Sequence, residues 1–142
     1  MNLNVSPIEK ANLDRVKFIL NSVLPVAYPN SFYKNLSNGK YSGLVAEMRG
    51  KSVGCIVWER DQTQTNILAL GVLVLYREKG VASILLSKCL DDCKEAFLHV
   101  QTDNSDAIQF YKHRGFTIER TIENYYRRVT CTEAYKMIYN KD

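Results

Sequence analysis

The stretch LGVLVLYREKGVASILL, Leu70–Leu86, joins an apolar run to a helical pattern through a short polar turn. Residues 66–75 are nearly continuous aliphatic, which is typical of a buried central strand. Helical periodicity follows from Gly80 to Cys93. A turn that ends at a helix N-terminus presents free backbone N–H groups and a partial positive charge, and Gly80 lets an oxygen approach them without a Cβ in the way. The stretch therefore predicts a phosphate site.

The spacing Arg77-x-x-Gly80-x-Ala82 excludes two better-known phosphate motifs. It lacks the Gly-Lys-Ser/Thr ending of a P-loop, and only one of the three glycines of the dinucleotide fingerprint is present. By itself the spacing is also compatible with a plain strand-to-helix turn.

Outward from this stretch, the chain alternates between helical and strand patterns. Hydrophobic spacing predicts a helix over residues 8–23, and Pro25 and Pro29 predict a bent loop over 24–30. Arg49-Gly50-Lys51 between two apolar runs predicts a β-hairpin. Asn104 or Ser105 is a plausible N-cap. The remaining predicted elements are helices at 31–36 and 105–112, hairpin strands at 43–48 and 52–59, and strands at 97–101, 116–120 and 134–139. This order predicts a mixed α/β fold with a parallel crossover.

Composition narrows the class of protein. With 142 residues the chain suits one domain, residues 1–142. The net charge of +4 comes without a Lys/Arg cluster, so we expect no sequence-specific nucleic-acid binding. No apolar stretch reaches the roughly 20 residues that cross a membrane, and no signal peptide is visible, so we expect a protein of the cytosol or nucleus. The four cysteines lack the partner ligands of a zinc site, so no metal is expected.

A second motif, Asn104–Phe116, reads NSDAIQFYKHRGF and follows the predicted strand 97–101. Together with Arg77-x-x-Gly80-x-Ala82 it resembles the GCN5-related N-acetyltransferase (GNAT) superfamily. The alternative is a helix with a core aromatic pair and Gly115 as its C-cap. The resemblance implies a twisted mixed sheet of about seven strands with splayed central strands, about four flanking helices, and acetyl-CoA. It implies cofactor contacts from Leu70, Val72, Arg77, Glu78, Lys79, Gly80, Val81, Ala82, Ser83, Asn104, Ala107, Phe110 and Tyr111.

Three further stretches resemble one family in that superfamily. LNSVLPVAYPNSFYKNL at Leu20–Leu36, LHVQTDN at Leu98–Asn104 and NYYRR at 124–128 are similar to the NatE-type N-terminal acetyltransferase catalytic subunit. The resemblance implies that two loops hold the substrate's first residues, with Tyr28 hydrogen-bonding the peptide backbone. It predicts substrates that begin with Met followed by an apolar residue. The implied substrate contacts are Leu24, Pro25, Val26, Tyr28, Leu68, Tyr125 and Tyr126.

The same resemblance implies the catalytic groups. His99 is the candidate base, acting through a water shared with the carbonyl of Ile67, and its ordinary pKa of about 6.5 suits proton removal at neutral pH. Tyr111 is the candidate donor to the leaving thiolate, and backbone N–H groups near Leu70–Val72 are the candidate oxyanion donors. The alternative for His99 is a half-buried strand residue without a catalytic role. Asn66 stands where the family has a tyrosine, and an amide orients a water but takes no proton.

We therefore expect an N-terminal α-amine acetyltransferase that is slowed but not abolished by Asn66. The alternatives are a weak or inactive acetyl-CoA-binding subunit and a lysine or small-amine acetyltransferase. The expected partners are a peptide or nascent protein N-terminus, and in addition a larger N-terminal acetyltransferase complex and the ribosome.

Overall fold

The hairpin predicted around Arg49-Gly50 is present. In the computed structural model, which describes residues 2–24, 27–127 and 129–141, strands β2 (Ser42–Met48) and β3 (Lys51–Arg60) pair in antiparallel register. Arg49 and Gly50 both have positive φ angles, 53° and 78°. Positive φ at both central residues is the geometry that matches a two-residue turn to the right-handed twist of the strands.

The described residues form a mixed α/β fold with one seven-stranded sheet, in the order β1-β2-β3-β4-β5-β7-β6. This confirms the predicted fold class. Two short 3₁₀ turns, Lys10–Asn12 and Val74–Tyr76, precede α1 and follow β4. The other strands are β1 (Leu3–Pro7), β4 (Thr65–Val72), β5 (Glu95–Gln101), β6 (Thr117–Ile122) and β7 (Ala134–Asn140), and the helices are α1 (Leu13–Val23), α2 (Asn30–Ser37), α3 (Val81–Asp91) and α4 (Ser105–Lys112).

The chain packs as two compact units, and the first comprises residues 1–60 and 67–92. Helices α1 and α2 cover one face of its strands, where Val45, Cys55 and Ala69 join the helices in one buried cluster. On the other face, Gly54 meets the side chain of Val81 from α3. Residues 53–58 of β3 are consequently all buried, as expected for a strand covered on both faces.

The second unit comprises residues 61–66 and 93–142. Its strands β5, β7 and β6 are antiparallel neighbours, with Phe116 and Met137 fully buried. The start of β4 joins β5 through a parallel register of two positions, Thr65 with Ala96 and Asn66 with Phe97. The expectation of a single domain over residues 1–142 stays a prediction.

Three sequence predictions about the elements were wrong. The N-terminal strand β1 was missed because its five residues end at Pro7, and a short edge strand leaves little pattern. The helix predicted from residue 8 begins at Leu13. The strand predicted to Leu75 ends at Val72, and Val74 and Leu75 are 67% and 83% exposed on a turn. The prediction extended the strand because Val74 and Leu75 are apolar, but apolar residues are often exposed.

The contact between α1 and β4 requires a glycine at position 71. A Cβ on Gly71 would lie 2.7 Å from Cγ2 of Val23 and 3.6 Å from Cδ2 of Leu20. We expect Gly71→Ala to lower the free energy of unfolding by about 1–3 kcal/mol, the usual cost of overpacking a core. Urea denaturation followed by circular dichroism measures it.

The matched control is the double variant Gly71→Ala/Val23→Ala. Removing the Val23 methyls opens the space that the new Cβ needs, so the two changes should couple favourably by about 1 kcal/mol in a double-mutant cycle. Strictly additive losses would contradict the close approach.

Candidate active site

The predicted anion site lies at the start of α3. Gly80 is the N-cap with φ of +83°, and the first helical hydrogen bond runs from the Ile84 N–H to the Gly80 carbonyl at 3.0 Å. A glycine cap has no side chain to occupy the amides of the first turn, and that turn contains no acidic residue. Arg77, Glu78, Lys79 and Gly80 are all exposed. The turn thus presents backbone donors and a positive helix end to solvent.

Two residues shape this turn from within. The Arg77 Nε donates a hydrogen bond to the Val72 carbonyl at 3.0 Å, which ties the turn to the end of β4 and leaves the terminal guanidinium nitrogens at its edge. Glu78 has a φ of 62°, a conformation that costs a non-glycine residue roughly 1–2 kcal/mol. Backbone strain of this kind concentrates at ligand sites.

The predicted cofactor residues of the first unit lie on both sides of this turn, at the end of β4 and at the start of α3. Leu70 and Val72 lie in β4, Val81 is buried, and Ala82 and Ser83 are half-buried on the first turn of α3.

The predicted substrate loop begins where α1 ends. The Tyr28 hydroxyl donates to the Leu68 carbonyl at 2.8 Å, and its ring stacks on Phe32 with centroids 4.0 Å apart. Leu24 and Leu68 are half-buried and pack on the same core. The hydroxyl proton of Tyr28 is engaged inside the chain, so toward a peptide its oxygen can act as an acceptor. The predicted contacts Pro25 and Val26 lie outside the described residues.

His99 lies on the less buried face of β5. Ala96, Leu98 and Val100 point into the core, whereas Phe97 and His99 are half-buried on the opposite face. The imidazole stacks on the Tyr125 ring with centroids 4.4 Å apart and an interplanar angle of 16°. Tyr125 in turn meets the edge of Tyr126 at 4.9 Å. The predicted base and the two predicted tyrosines are therefore brought together in the second unit.

The charge state of this cluster follows from its surroundings. Burial, followed by the positive charges of Lys136 and Arg120, lowers the pKa of His99 below its ordinary value. Burial raises the pKa of Tyr125, and burial with the neighbouring Tyr125 and Cys131 raises the pKa of Tyr126 to about 12. At neutral pH the imidazole is unprotonated and both phenols keep their protons. His99 is thus suited to accept a proton, and neither tyrosine is.

Asn66 neighbours this cluster through the sheet. It pairs with Phe97 in the parallel register, so its side chain leaves the sheet on the same face as Phe97 and His99. It is half-buried. This is a position from which an amide could orient a water beside the imidazole.

Helix α4 supplies the last predicted group. The Asn104 side chain accepts a hydrogen bond from the Ala107 N–H at 3.2 Å, which confirms its prediction as the N-cap. Tyr111 packs between Phe110 and Phe116, with centroids 5.2 and 5.5 Å away. Burial and the nearby Tyr126 raise the pKa of Tyr111. Tyr111 therefore suits a hydrogen-bond donor better than a proton source.

Sequence reasoning missed three residues that surround these groups. Phe32 supports Tyr28, Lys136 lies opposite His99, and Arg120 lies opposite Lys136 on the next strand. Phe32 lies four residues after Tyr28, so its spacing was a usable signal. No signal identified the two cations, because their proximity to His99 depends on strand register.

The metal-ligating and thiol side chains that the structure describes are further candidates for a site. Within the described residues there is no group of three His, Cys, Asp or Glu side chains that could hold a metal ion. None of the four cysteines forms a disulfide. Cys55, Cys89 and Cys93 are buried, Cys131 is half-buried, and Cys93 lies beyond the end of α3. None of the helices described is both long and apolar enough to span a bilayer.

Comparison with known proteins gives a consistent result. The model of the Acetyltransferase (GNAT) family matches residues 12–116. The chain is 32% identical to N-alpha-acetyltransferase 60 of Xenopus tropicalis over 89% of its own length and 65% of the relative's, so it spans just under two thirds of that protein. It is 29% identical to N-alpha-acetyltransferase 50 of Danio rerio, covering 94% of this chain and 85% of that one.

The fold has a close counterpart among solved structures. Arabidopsis thaliana Naa50, in complex with the bisubstrate analogue CoA-Ac-MVNAL, superposes with a TM-score of 0.90 at 30% identity, covering 99% of both chains.

The turn at Gly80 can be tested by charge alone. Gly80→Asp and Gly80→Asn add side chains of nearly equal size, and both residue types tolerate positive φ. Because nothing lies within 4 Å of a Cβ at this position, neither should disturb packing. We expect Asp to weaken coenzyme A binding about tenfold more than Asn, since only Asp opposes an anion at the helix N-terminus. Calorimetry at two salt concentrations measures the difference, and equal affinities would contradict the assignment.

Proposed function

The chain belongs to the GNAT family of acetyltransferases, and from this we propose that it transfers acetyl groups from acetyl-CoA to the α-amino group of protein N-termini. The observation that carries the proposal is the half-buried His99, stacked on Tyr125 in the second unit, where burial lowers the pKa of the imidazole. The proposal is supported because a single proton acceptor is enough for an α-amine, which is already partly neutral at pH 7.

The case for acetyl-CoA rests on the first unit. The exposed turn at residues 77–80 and the glycine N-cap of α3, which has no capping side chain, suit a diphosphate. The similar Arabidopsis Naa50 structure contains a coenzyme A analogue. In this chain Arg77 and the amides of residues 81–83 would hold the diphosphate, and acetyl-CoA supplies the activated acyl group.

The reaction needs the amine nitrogen to attack the thioester carbonyl, so that a C–N bond forms and the C–S bond breaks. The substrate ammonium loses two protons in total. His99 accepts one through a water oriented by Asn66 and passes it to solvent, and the other goes to the leaving thiolate. Tyr111 donates a hydrogen bond to that sulfur, and backbone N–H groups of residues 70–72 are the proposed donors to the developing oxyanion.

The kind of amine follows from pKa arithmetic. An α-amino group with a pKa of about 8 is roughly one-tenth neutral at pH 7, whereas a lysine with a pKa of about 10.4 would need about 4.6 kcal/mol to reach the neutral form. Because Tyr125 and Tyr126 hold their protons and Asn66 replaces the expected tyrosine, a single imidazole is the available acceptor. This favours an α-amine over a lysine side chain.

For the substrate's first residues we propose Met followed by an apolar residue, as in a NatE-type enzyme. The half-buried Leu24 and Leu68 next to Tyr28 support an apolar pocket. The analogue bound to Arabidopsis Naa50 contains MVNAL, a Met followed by valine. The proposed partner is a nascent or peptide N-terminus in the cytosol or nucleus, and a larger ribosome-associated acetyltransferase complex would deliver it.

One observation favours a second candidate function. Asn66 cannot take a proton, so the chain could instead act as a weak or inactive acetyl-CoA-binding subunit. That function predicts cofactor binding at full affinity without turnover.

A peptide panel separates these functions. We expect acetylation of a Met-Leu peptide to exceed that of a Met-Glu peptide by about 10-fold or more, since burying an ion in an apolar pocket is costly. A peptide with a blocked N-terminus and an internal lysine should react at least 100-fold more slowly. Mass spectrometry locates the acetyl group. Acetyl-CoA binding without turnover of any peptide would favour the inactive subunit, and preference for the blocked lysine peptide would overturn the α-amine proposal.

The role of His99 has its own test. We expect His99→Ala to reduce kcat by about 100-fold, the usual scale for loss of a general base, with coenzyme A affinity unchanged. Since the base works unprotonated and its pKa is lowered, wild-type kcat should fall with acidification only below about pH 6.5. The exposed second histidine provides the control, because His113→Ala should keep near-normal kcat. A His99→Ala enzyme with normal kcat would make the histidine structural.

A further inference from the structure

Three side chains form one rung across the second unit's sheet. His99 of β5 lies opposite Lys136 of β7, and Lys136 lies opposite Arg120 of β6. Directly opposed residues leave the sheet on the same face with Cβ atoms roughly 5 Å apart. An imidazole, an ammonium and a guanidinium therefore follow one another on the face that carries the candidate base.

A β-bulge supplies the one carboxylate of this rung. The register between β6 and β7 shifts between Ile118 and Arg120, so Glu119 is the extra residue and both Glu119 and Arg120 oppose Lys136. The Glu119 carboxylate lies 3.3 Å from the Lys136 Nζ and 3.8 Å from the Arg120 Nε. The bulge thus leaves both a carboxylate and a guanidinium beside the Lys136 ammonium.

Lys136 is held more firmly than an ordinary surface lysine. Its side chain is only 22% exposed, and its Nζ lies 4.8 Å above the centre of the Phe97 ring. Phe97 also contacts His99 edge-on at 6.0 Å. An ion pair on one side and a cation–π contact on the other fix the ammonium next to the imidazole, where a half-buried charge is screened less than an exposed one.

We propose that Lys136 is a positioning residue for the reaction: clamped by Glu119 and Phe97, its ammonium keeps the imidazole of His99 in the neutral form that accepts a proton. Protonated His99 would be a third cation beside Lys136 and Arg120, and Glu119 is the carboxylate that faces them. The neutral imidazole is therefore favoured. The inference rests on the proposed function, since it gives the neutral imidazole its task.

The other charged groups around His99 do not replace Lys136. Arg120 is one strand farther away and 63% exposed, so its effect is weaker. Glu119 opposes the effect, but the sheet register places Lys136, and not Glu119, directly opposite His99. Tyr125, stacked on the ring, is uncharged at neutral pH because burial raises its pKa. The direction of the His99 pKa agrees with this account, with burial as its largest cause and Lys136 as the next.

The test uses the presence of only two histidines in the chain. Nuclear magnetic resonance of the imidazole carbons follows both titrations in the intact protein, and His113→Asn assigns the signals. Lys136→Met keeps the length of the side chain and removes its charge, Lys136→Arg keeps the charge, and Lys40→Met removes an exposed charge from a turn before β2. The wild type and the three lysine variants are also assayed for kcat against pH.

We expect Lys136→Met to raise the His99 midpoint by about 0.5–1 unit, as loss of a nearby like charge does, and to move the acid limb of kcat upward by the same amount. Lys136→Arg and Lys40→Met should leave both unchanged, and the His113 midpoint should not move in any variant. A His99 midpoint that fails to rise in Lys136→Met would overturn the inference even if the enzyme is active. A midpoint that rises without the acid limb would overturn His99 as the base, and a change of unfolding midpoint alone would reduce Lys136 to a structural role.

Discussion

Helix α1 packs on β3 and approaches β4 at Gly71, where a side chain would collide with Val23, and this close approach helps to organise the first unit. A Val23 methyl lies close to where a Cβ of residue 71 would project, so the side chain of the helix packs directly against the strand backbone. Beyond the end of α1, the Tyr28 hydroxyl reaches the Leu68 carbonyl of β4. The same strand ends at Val72, whose carbonyl receives Arg77 and orients the turn into α3. One strand thereby contacts both Tyr28 of the predicted substrate loop and the turn of the predicted anion site.

In the second unit, burial shifts the pKa values of three tyrosines and one histidine. Burial keeps protons on Tyr111, Tyr125 and Tyr126, and it removes the proton from His99, because in each case the neutral form is favoured. The surroundings therefore reinforce the protonation states that the residue types already favour at neutral pH. Asn66, half-buried on the same face, cannot take a proton and so adds no second acceptor beside His99.

Features that depend on neighbouring residues could be predicted from the sequence, whereas features that depend on strand pairing or packing could not. The Arg49-Gly50 turn, the glycine start of α3 and the Asn104 cap each depend on residues within one turn, and the structure contains all three. Strand β1 and the exposed Val74–Leu75 turn depend on what packs against them, which composition does not record. The rung that joins Lys136 to His99 requires the register of three strands and a bulge at Glu119. Such a contact is invisible until the strands are paired.

The four thiols differ in a way that bears on chemical labelling. Cys55, Cys89 and Cys93 are buried, and burial raises the pKa of the Cys55 thiol to about 12, so these sulfurs are poor nucleophiles in the native state. Cys131 is the half-buried exception, and it lies in the loop that carries Tyr126, whose backbone N–H bonds to Thr132. A maleimide dye applied to the folded protein would therefore attach first at Cys131. It would place a fluorescent reporter at the tyrosine loop without any engineered cysteine.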